Sequence, residues 1–296
     1  MLNEYNVILT RSEAKGKNLI RQILRLRLPS TLLPSALLRA GGAGRMTIFL
    51  LLGMAAFLFW PQSRVFSEEQ VPFKKSDDYD NNISVRVMKK ISLPGGYHEG
   101  LLFDGENIWV NNGKGGKTWI VDLATETVSA EIKPIATFTE GITSVGDGTF
   151  WVTDWEAQKL YLAKRKESEM IATHEMSLKP EYPAGVIWTG KKLYVITWKR
   201  GPTGTRYFLV RLNNEGREIS RTRMKGIHEP AHLAWDGKNL WITSWFSQRV
   251  YRIDEETLDI TGSFKSPADK TTGIACDGKY FWITGSYDDL YQIEIE

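Results

Sequence analysis

The stretch FTEGITSVGDGTFWVTDW, from Phe138 to Trp155, has a pattern that occurs five times along the chain. In each copy a short apolar run leads into a turn that contains Gly, and an alternating run rich in aromatic residues follows. This arrangement is typical of two β-strands joined by a tight hairpin turn. The other copies are YHEGLLFDGENIWVNN from Tyr97, PAGVIWTGKKLYVITW from Pro183, EPAHLAWDGKNLWITSW from Glu229 and TTGIACDGKYFWITGS from Thr271.

The spacing of the copies predicts the architecture. The turn glycines recur at steps of 43, 42, 47 and 41 residues, and they are Gly105, Gly148, Gly190, Gly237 and Gly278. A period near forty with several strands in each copy indicates a β-propeller. We therefore predict an all-β fold with five blades of four strands.

The fifth copy is incomplete, because its third strand, Leu290 to Ile295, reaches the end of the chain. Residues 84–93, just before the first copy, form a spare alternating strand. Pairing this strand with the C-terminal blade would close the ring and hide two sheet edges. An open stack of sheets and a six-bladed ring are the competing architectures.

The chain before the repeats divides into three parts by composition. Residues 1–45 form a basic extension, residues 46–61 contain the uncharged run TIFLLLGMAAFLFW, and residues 62–83 are a polar linker. We expect the apolar run to be a short N-terminal helix, either a signal-peptide core or a membrane anchor. A buried helix of a small extra domain is the alternative. Because Met46 opens the run, residues 1–45 can also be an over-extended start.

The order of these parts predicts a location. Basic sequence before the apolar run and polar sequence after it would place the propeller, residues 84–296, outside the cytoplasm, periplasmic or secreted. A membrane contact through residues 47–60 is therefore expected if the run is not cleaved.

The composition of the chain makes several classes of function unexpected. The net charge is only +3, and the repeats carry no basic stripe, so a nucleic-acid partner is not expected. The single Cys276 cannot form an intrachain disulfide, and four His with one Cys make a metal cage or another cofactor unexpected. We expect a monomer.

Propeller topology brings distant residues together. The first strand of each blade lines the central channel, so the loop before it and the loop after the second strand lie on the same face. These loops should form an aromatic-walled mouth, with up to three carboxylates, that takes a small molecule or a chain end. Its candidate residues are Tyr97, Glu99, Phe138, Glu140, Trp155, Trp198, Glu229, Trp245 and Ser286. Trp109, Trp151, Trp241 and Trp282 lie inside second strands, where we expect them to pack between blades.

The string His228-Glu229-Pro230-Ala231-His232 matches the zinc-protease pattern H-E-x-x-H. That chemistry needs both His on one face of a helix. Pro230 would lie in the middle of the helix, and a strand follows at once. We therefore predict no metal at this string.

The repeat region, from about Ser92 to Glu296, resembles the glutamine cyclotransferases of the plant and bacterial five-bladed propeller type. The segments that match are YHEGLLFDG, FTEGITSVGD, WDGKNLWITSW followed by RVYRID, and GIACDGKYFWITGS with LYQIEIE. The resemblance implies that Glu140 is the catalytic acid-base and that Phe138 lies beside the substrate. It also implies a substrate, a peptide or protein with an N-terminal Gln, whose α-amine attacks its own side-chain amide. The products are pyroglutamate and ammonia, and no cofactor takes part.

Several positions depart from the family pattern. Glu99 replaces a Gln, which we expect to add a negative charge to the mouth, and Ser286 replaces a Lys that could stabilise an oxyanion. Ala184 lies where the family has a Trp, and Trp155 comes one residue later than the family's Trp. Of the family's Asn-Glu-Leu-Glu before the fourth copy, His228 to Ala231 retain one acid.

Two functions of different classes stay open for this chain. One is an extracytoplasmic cyclase in which Glu140 moves the protons. The other is an inactive propeller that binds a peptide, a glycan or a protein partner at its Trp-rich mouth. A weaker third hypothesis is a calcium or other metal ion held by Glu99, Glu140 and Glu229 for hydrolase or lactonase chemistry.

Overall fold

The structure, a computed structural model, describes residues 2–10, 21–29, 82–114 and 116–296. The chain divides into two units, Met1–Ser63 and Arg64–Glu296. In the first unit, strand β1 (Leu2–Thr10) pairs antiparallel with β2 (Arg21–Pro29), a hairpin that the sequence analysis did not predict. The expected helix at residues 47–60 and residues 62–81 of the predicted linker lie outside the described residues. Among the residues described, no helix has the length and apolar character that crossing a bilayer requires.

The second unit is a ring of five four-stranded antiparallel sheets, as predicted. The first blade contains β4 (His98–Phe103), β5 (Asn107–Asn112), β6 (Lys117–Asp122) and β7 (Thr127–Ile132). The second contains β8 (Thr139–Gly146), β9 (Thr149–Asp154), β10 (Lys159–Lys166) and β11 (Glu169–Ser177). The third contains β12 (Tyr182–Trp188), β13 (Leu193–Gly201), β14 (Gly204–Leu212) and β15 (Glu218–Met224). The fourth contains β16 (Pro230–Trp235), β17 (Asn239–Ser244), β18 (Arg249–Asp254) and β19 (Ile260–Lys265).

The fifth blade is built from both ends of the repeat region. Its strands are β20 (Thr271–Cys276), β21 (Phe281–Gly285), β22 (Leu290–Ile295) and, as the outer strand, β3 (Val85–Ile91). Strands β22 and β3 pair antiparallel, with Leu290 opposite Ile91 and Ile295 opposite Val85. This pairing confirms the predicted closure. Strand β22 is paired on both sides, and β3 is paired on the side that faces the ring axis.

The inner strands lie close together around the axis. Strands β4, β8, β12, β16 and β20 contact one another in this order, and β20 returns to contact β4. Gly185 shows how close the backbones are, because a Cβ atom there would lie 2.6 Å from the Cα of His232 in the next blade. Hydroxyl groups add hydrogen bonds between blades: Thr153 Oγ1 donates to the carbonyl of Ala184 at 2.5 Å.

The Trp residues of the second strands are buried, as predicted, and pack between blades. Trp109 contacts Phe150 of the next blade at a ring separation of 5.2 Å, and Trp241 contacts Phe281 at 4.8 Å. In three blades the indole Nε1 also donates to the Asp of the hairpin turn, at 2.7 to 2.8 Å; the pairs are Trp109 with Asp104, Trp241 with Asp236 and Trp282 with Asp277. The Asp-Gly turn and the Trp five residues after the Asp thus form one structural unit, in which the buried indole N–H is satisfied.

Candidate active site

A β-bulge interrupts the beginning of every inner strand. In the first blade His98 pairs with Asn112 but the next pair is Leu101 with Val110, so Glu99 and Gly100 lie opposite one residue. The second blade repeats this with Glu140 and Gly141. Bulges re-aim side chains next to functional sites. Glu99 and Glu140 therefore occupy equivalent bulge positions on neighbouring inner strands.

Four of the five bulges, all but that of the third blade, open into one cavity of about 380 Å³ on the face predicted from the topology. Eight of the nine predicted site residues line it: Tyr97, Glu99, Phe138, Glu140, Trp155, Trp198, Glu229 and Trp245. Lys114, Glu156, Ala231 and Thr272 complete the wall. Ala231 and Thr272 occupy the bulge positions of the fourth and fifth blades.

The ninth residue, Ser286, does not line the cavity. It is buried behind the wall, where its hydroxyl accepts a hydrogen bond from Trp245 Nε1 at 3.0 Å. Ser286 therefore fixes the orientation of an indole that faces the cavity. Ala184 is likewise buried and outside the lining.

Aromatic side chains form one side of the cavity. The rings of Trp155 and Trp198 meet edge to face, with centroids 5.0 Å apart and planes at 85°. Trp198 Nε1 donates to the carbonyl of Pro230 at 2.8 Å, which fixes the second indole. Tyr97 and Phe138 make a similar contact at 5.9 Å. These contacts hold the ring faces in place before any ligand binds.

The two bulge carboxyl groups have perturbed acidity. Loss of solvation by burial raises the pKa of Glu140 from 4.5 to about 8. Burial also raises the pKa of Glu99 well above its ordinary value, the charge of Glu140 raises it further, and Lys114 opposes the rise. Burial, followed by the charge of Glu99, raises the pKa of Tyr97. The structure thus favours a neutral Glu99 in place of the additional negative charge expected from the sequence.

Lys114 lines the cavity but was not among the candidates predicted from the sequence. It follows β5 in the loop of the first blade, and its Nζ lies 4.5 Å from the centre of the Tyr97 ring. Among the described lining residues it is the one with a cationic side chain. Its loop, NNGKGG at residues 111–116, has no counterpart in the other copies, so the repeat pattern gave no reason to select it.

His232 lies in the fourth inner strand beneath the carboxyl pair. Its Nδ1 is 3.1 Å from the carbonyl of Ile274, so this nitrogen carries the proton, and Nε2 has no partner among the described residues. Burial lowers its pKa to about 4, so the ring is neutral.

At the other end of the inner strands is a smaller, mostly apolar cavity of about 170 Å³.

The zinc-protease string does not form a helix. Pro230 to His232 lie in strand β16, and Glu229 precedes it with a positive φ of 48°. Glu229 lines the cavity, while its backbone carbonyl accepts from Trp245 N at 3.0 Å. Within the described ranges, no group of three or more His, Cys, Asp or Glu side chains is placed to hold a metal ion.

The fold and this cavity define a five-bladed β-propeller with a carboxyl pair in an aromatic-walled mouth. The family model described as glutamine cyclotransferase matches residues 65–295. The chain belongs to the glutamine cyclotransferase family.

Comparison with solved structures found other proteins of similar fold. A crystal structure of glutaminyl cyclase from Myxococcus xanthus is 15% identical with a TM-score of 0.60, covering 72% of this chain and 97% of that one. The PQQ-bound form of aldose sugar dehydrogenase from Streptomyces coelicolor is 11% identical with a TM-score of 0.50, covering 74% and 100%. At these identities the likeness concerns the fold. A comparison with curated proteins gave no match.

Proposed function

We propose that this protein converts the N-terminal Gln of a peptide or protein to pyroglutamate, with release of ammonia, and that Glu140 is the general acid-base. The observation that carries the proposal is the position of Glu140, a carboxyl group in an aromatic-walled cavity with its pKa raised to about 8. A base is most effective when its pKa lies near the working pH. Membership in the glutamine cyclotransferase family supports the same chemistry.

The reaction requires a folded-back substrate rather than a second reactant. The α-amine attacks the side-chain amide carbon of the same residue, so the protein mainly has to hold the bent conformer. The edge-to-face wall of Trp155 and Trp198 provides rigid apolar faces for the methylene groups of Gln. Glu140 takes a proton from the amine, and a proton must reach the departing nitrogen. Lys114 has the one cationic side chain among the described lining residues. We propose that it stabilises the negative charge that develops on the amide oxygen.

The test is incubation of the purified chain with a Gln-initiated peptide, followed by mass spectrometry for the loss of one ammonia. The same peptide with an acetylated N-terminus is the control, because its nitrogen cannot attack. We expect turnover of the free peptide alone, and we expect it to disappear in Glu140→Gln. Full turnover in Glu140→Gln would exclude the proposed role of this residue.

A second candidate function is binding without turnover, with a peptide, a glycan or a protein as partner. The side chains of Phe246 and Tyr287 favour it, since each is 68% exposed in a loop after a second strand, on the face that carries the cavity. Exposed aromatic side chains at the rim of a cavity are frequent in interaction surfaces. In this case a ligand would bind saturably, Trp245→Ala would abolish binding, and no Gln-initiated peptide would lose ammonia. Detection of ammonia release would exclude this candidate.

We also propose that the propeller is a monomer outside the cytoplasm, held at the membrane by residues 47–60 if the apolar run is retained. The support is the basic, apolar and polar order of the first three segments. Protease accessibility in intact cells, with alkaline extraction of membranes, tests the location and the anchor. Sedimentation of the purified chain tests the monomer.

A further inference from the structure

Glu99 and Glu140 are brought together by the symmetry of the fold. Each is the first residue of a bulge at the start of an inner strand, and the two strands, β4 and β8, are neighbours in the ring. Their backbones nearly touch, because a Cβ on Gly100 would lie 2.6 Å from the carbonyl oxygen of Glu140. Both side chains line the same cavity. One bound ligand can therefore contact both carboxyl groups.

The two carboxyl groups differ in their surroundings. Glu99 is only 4% exposed, and no described residue hydrogen-bonds its carboxyl group, whereas Glu140 keeps part of its side chain open to the cavity. A buried carboxyl group without hydrogen-bond donors is destabilised when ionised. Of the two, Glu99 should keep its proton to the higher pH.

The groups that face Glu99 agree with this order. Glu140 is acidic, Tyr97 is a phenol whose own pKa is raised, and His232 of the inner strand β16 is neutral. Lys114 is the cation that opposes the rise in the pKa of Glu99. Glu156 and Glu229 also line the cavity. Like-charged carboxyl groups that share a site do not ionise together at neutral pH.

We propose that Glu99 and Glu140 divide the proton transfers of the cyclisation, with the Glu140 carboxylate as the base and the Glu99 carboxylic acid as the acid. This inference rests on the proposed function and transfers the acid half of the role given there to Glu140 to a second catalytic residue, Glu99. Two carboxyl groups with different environments at one site are a known way to obtain an acid and a base at the same pH.

The cyclisation and the return to the starting state involve three proton transfers. The α-nitrogen forms a bond to the side-chain amide carbon and loses one proton to the Glu140 carboxylate. The bond between that carbon and the amide nitrogen then breaks, and the departing nitrogen takes one proton from Glu99 and leaves as ammonia. After these steps Glu140 is protonated and Glu99 is ionised. Transfer of one proton from Glu140 to Glu99, directly or through water, restores the starting state.

The test compares Glu99→Gln with the wild-type protein on two substrates. Gln has the shape of Glu but cannot supply a proton. For a Gln-initiated peptide we expect kcat to fall by about 10²-fold with little change in KM, the usual effect of losing a general acid. The second substrate is the same peptide with the γ-trifluoroethyl ester of Glu in place of Gln, corrected for its spontaneous cyclisation. Its leaving group needs less protonation, so the loss should shrink to less than about tenfold.

The pH profile gives an independent readout. In the wild-type protein kcat should rise as Glu140 ionises and fall as Glu99 ionises at higher pH, and Glu99→Gln should lose the falling limb. Glu106→Gln is the matched control, since Glu106 is exposed in the turn between β4 and β5, and it should behave as wild type on both substrates. Thermal unfolding of each variant verifies that it is folded.

Three results would overturn the proposal. If Glu99→Gln cyclises the Gln peptide at the wild-type rate, Glu99 is not the acid. An equal loss on amide and ester means that Glu99 has a structural role. Absence of turnover in the wild-type protein on any Gln-initiated peptide overturns the proposed function itself, and the pair with it. In the first two cases the wild-type protein is active, so the two failures are distinguished.

Discussion

Ile91 of strand β3 lies directly opposite Leu290 of strand β22, and this pair closes the propeller. Both side chains are buried, at 3% and 0% exposure, in a cluster that also contains Trp282 of the fifth blade and Trp119 of the first. The outer strand of the last blade therefore contributes to the core between the last blade and the first. Closure depends on side-chain packing as well as on the hydrogen bonds of the strand pair.

Replacement of Ile91 by Ala should destabilise the whole ring. Truncating a buried Ile costs about 2–5 kcal/mol. The matched control is Val87→Ala in the same strand, because Val87 is 49% exposed and should change the free energy of unfolding by less than about 0.5 kcal/mol. Denaturant unfolding followed by Trp fluorescence measures both. Equal, small effects would show that β3 contributes little to closure.

Much of this fold follows from the sequence because each copy repeats one local structural unit. The alternation of apolar residues and the Gly turns determine the hairpins, and the incomplete fifth copy predicts the pairing of β22 with β3. The β1–β2 hairpin was not predicted, since residues 1–45 were interpreted from their charge alone. The segment boundaries at residues 45, 61 and 83 stay predictions.

The lining of the cavity could be predicted from the topology of the propeller, whereas the roles of the lining residues stay predictions. Eight candidates reached one cavity because the ends of propeller strands share a face. Ser286 lies behind Trp245 because its short side chain bonds the indole instead of reaching the cavity. Lys114 was missed because a loop that differs between copies gives no periodic signal. The raised pKa of Glu99 depends on burial, which the sequence does not show.

The raised pKa of Glu140 should reduce stability at alkaline pH. In the unfolded chain this carboxyl ionises near pH 4.5, but in the folded protein it keeps its proton up to about pH 8. Stability is therefore complete below the lower value and falls as the pH rises between the two. One pKa unit corresponds to about 1.4 kcal/mol, so Glu140→Gln should be at least about 1 kcal/mol more stable than wild type at pH 8.

The measurement for Glu140→Gln is the free energy of unfolding at pH 4.5, 6 and 8. The gain should be smallest at the lowest pH, and the exposed control Glu106→Gln should show none. A gain that does not depend on pH would contradict the assignment of the raised pKa to Glu140.

Removing the hydroxyl of Thr153 should weaken the contact between the second and third blades. This group donates to the Ala184 carbonyl and accepts from Gly141 N at 2.7 Å. Thr153→Val keeps the side-chain shape but leaves both partners buried and unsatisfied, at a cost of about 1–3 kcal/mol. Thr205→Val, in an exposed part of β14, is the control and should be neutral. An equal result for both, measured by denaturant unfolding, would exclude a stabilising bond.

A methyl group at Gly100 should disturb the carboxyl pair. The Cβ of Gly100→Ala would lie 2.5 Å from His232 Nε2 and 2.6 Å from the Glu140 carbonyl oxygen. Overpacking of this kind costs about 1–3 kcal/mol and moves the backbone. We expect lower stability and a loss of turnover in the variants that stay folded. Gly95→Ala is the control, because its Cβ meets no atom within 4 Å.

The wall formed by Trp155 and Trp198 should provide a large part of ligand affinity. Trp198→Ala removes a ring that contacts Trp155 at a centroid distance of 5.0 Å, so the bound side chain loses one apolar face. We expect the Kd for a Gln-initiated peptide to rise by tenfold or more, since tenfold corresponds to about 1.4 kcal/mol. Trp198→Phe keeps a ring but loses the hydrogen bond to Pro230, and it should lose less affinity.

The control for Trp198→Ala is Trp235→Ala, because Trp235 lines the smaller cavity at the other end of the inner strands. Both variants lose a partly buried indole, so both should lose stability, but only the change at Trp198 should weaken binding. Isothermal titration with the peptide measures the affinity, and denaturant unfolding measures the stability. If the two variants lose affinity equally, the effect comes from stability and the ligand does not bind against Trp198.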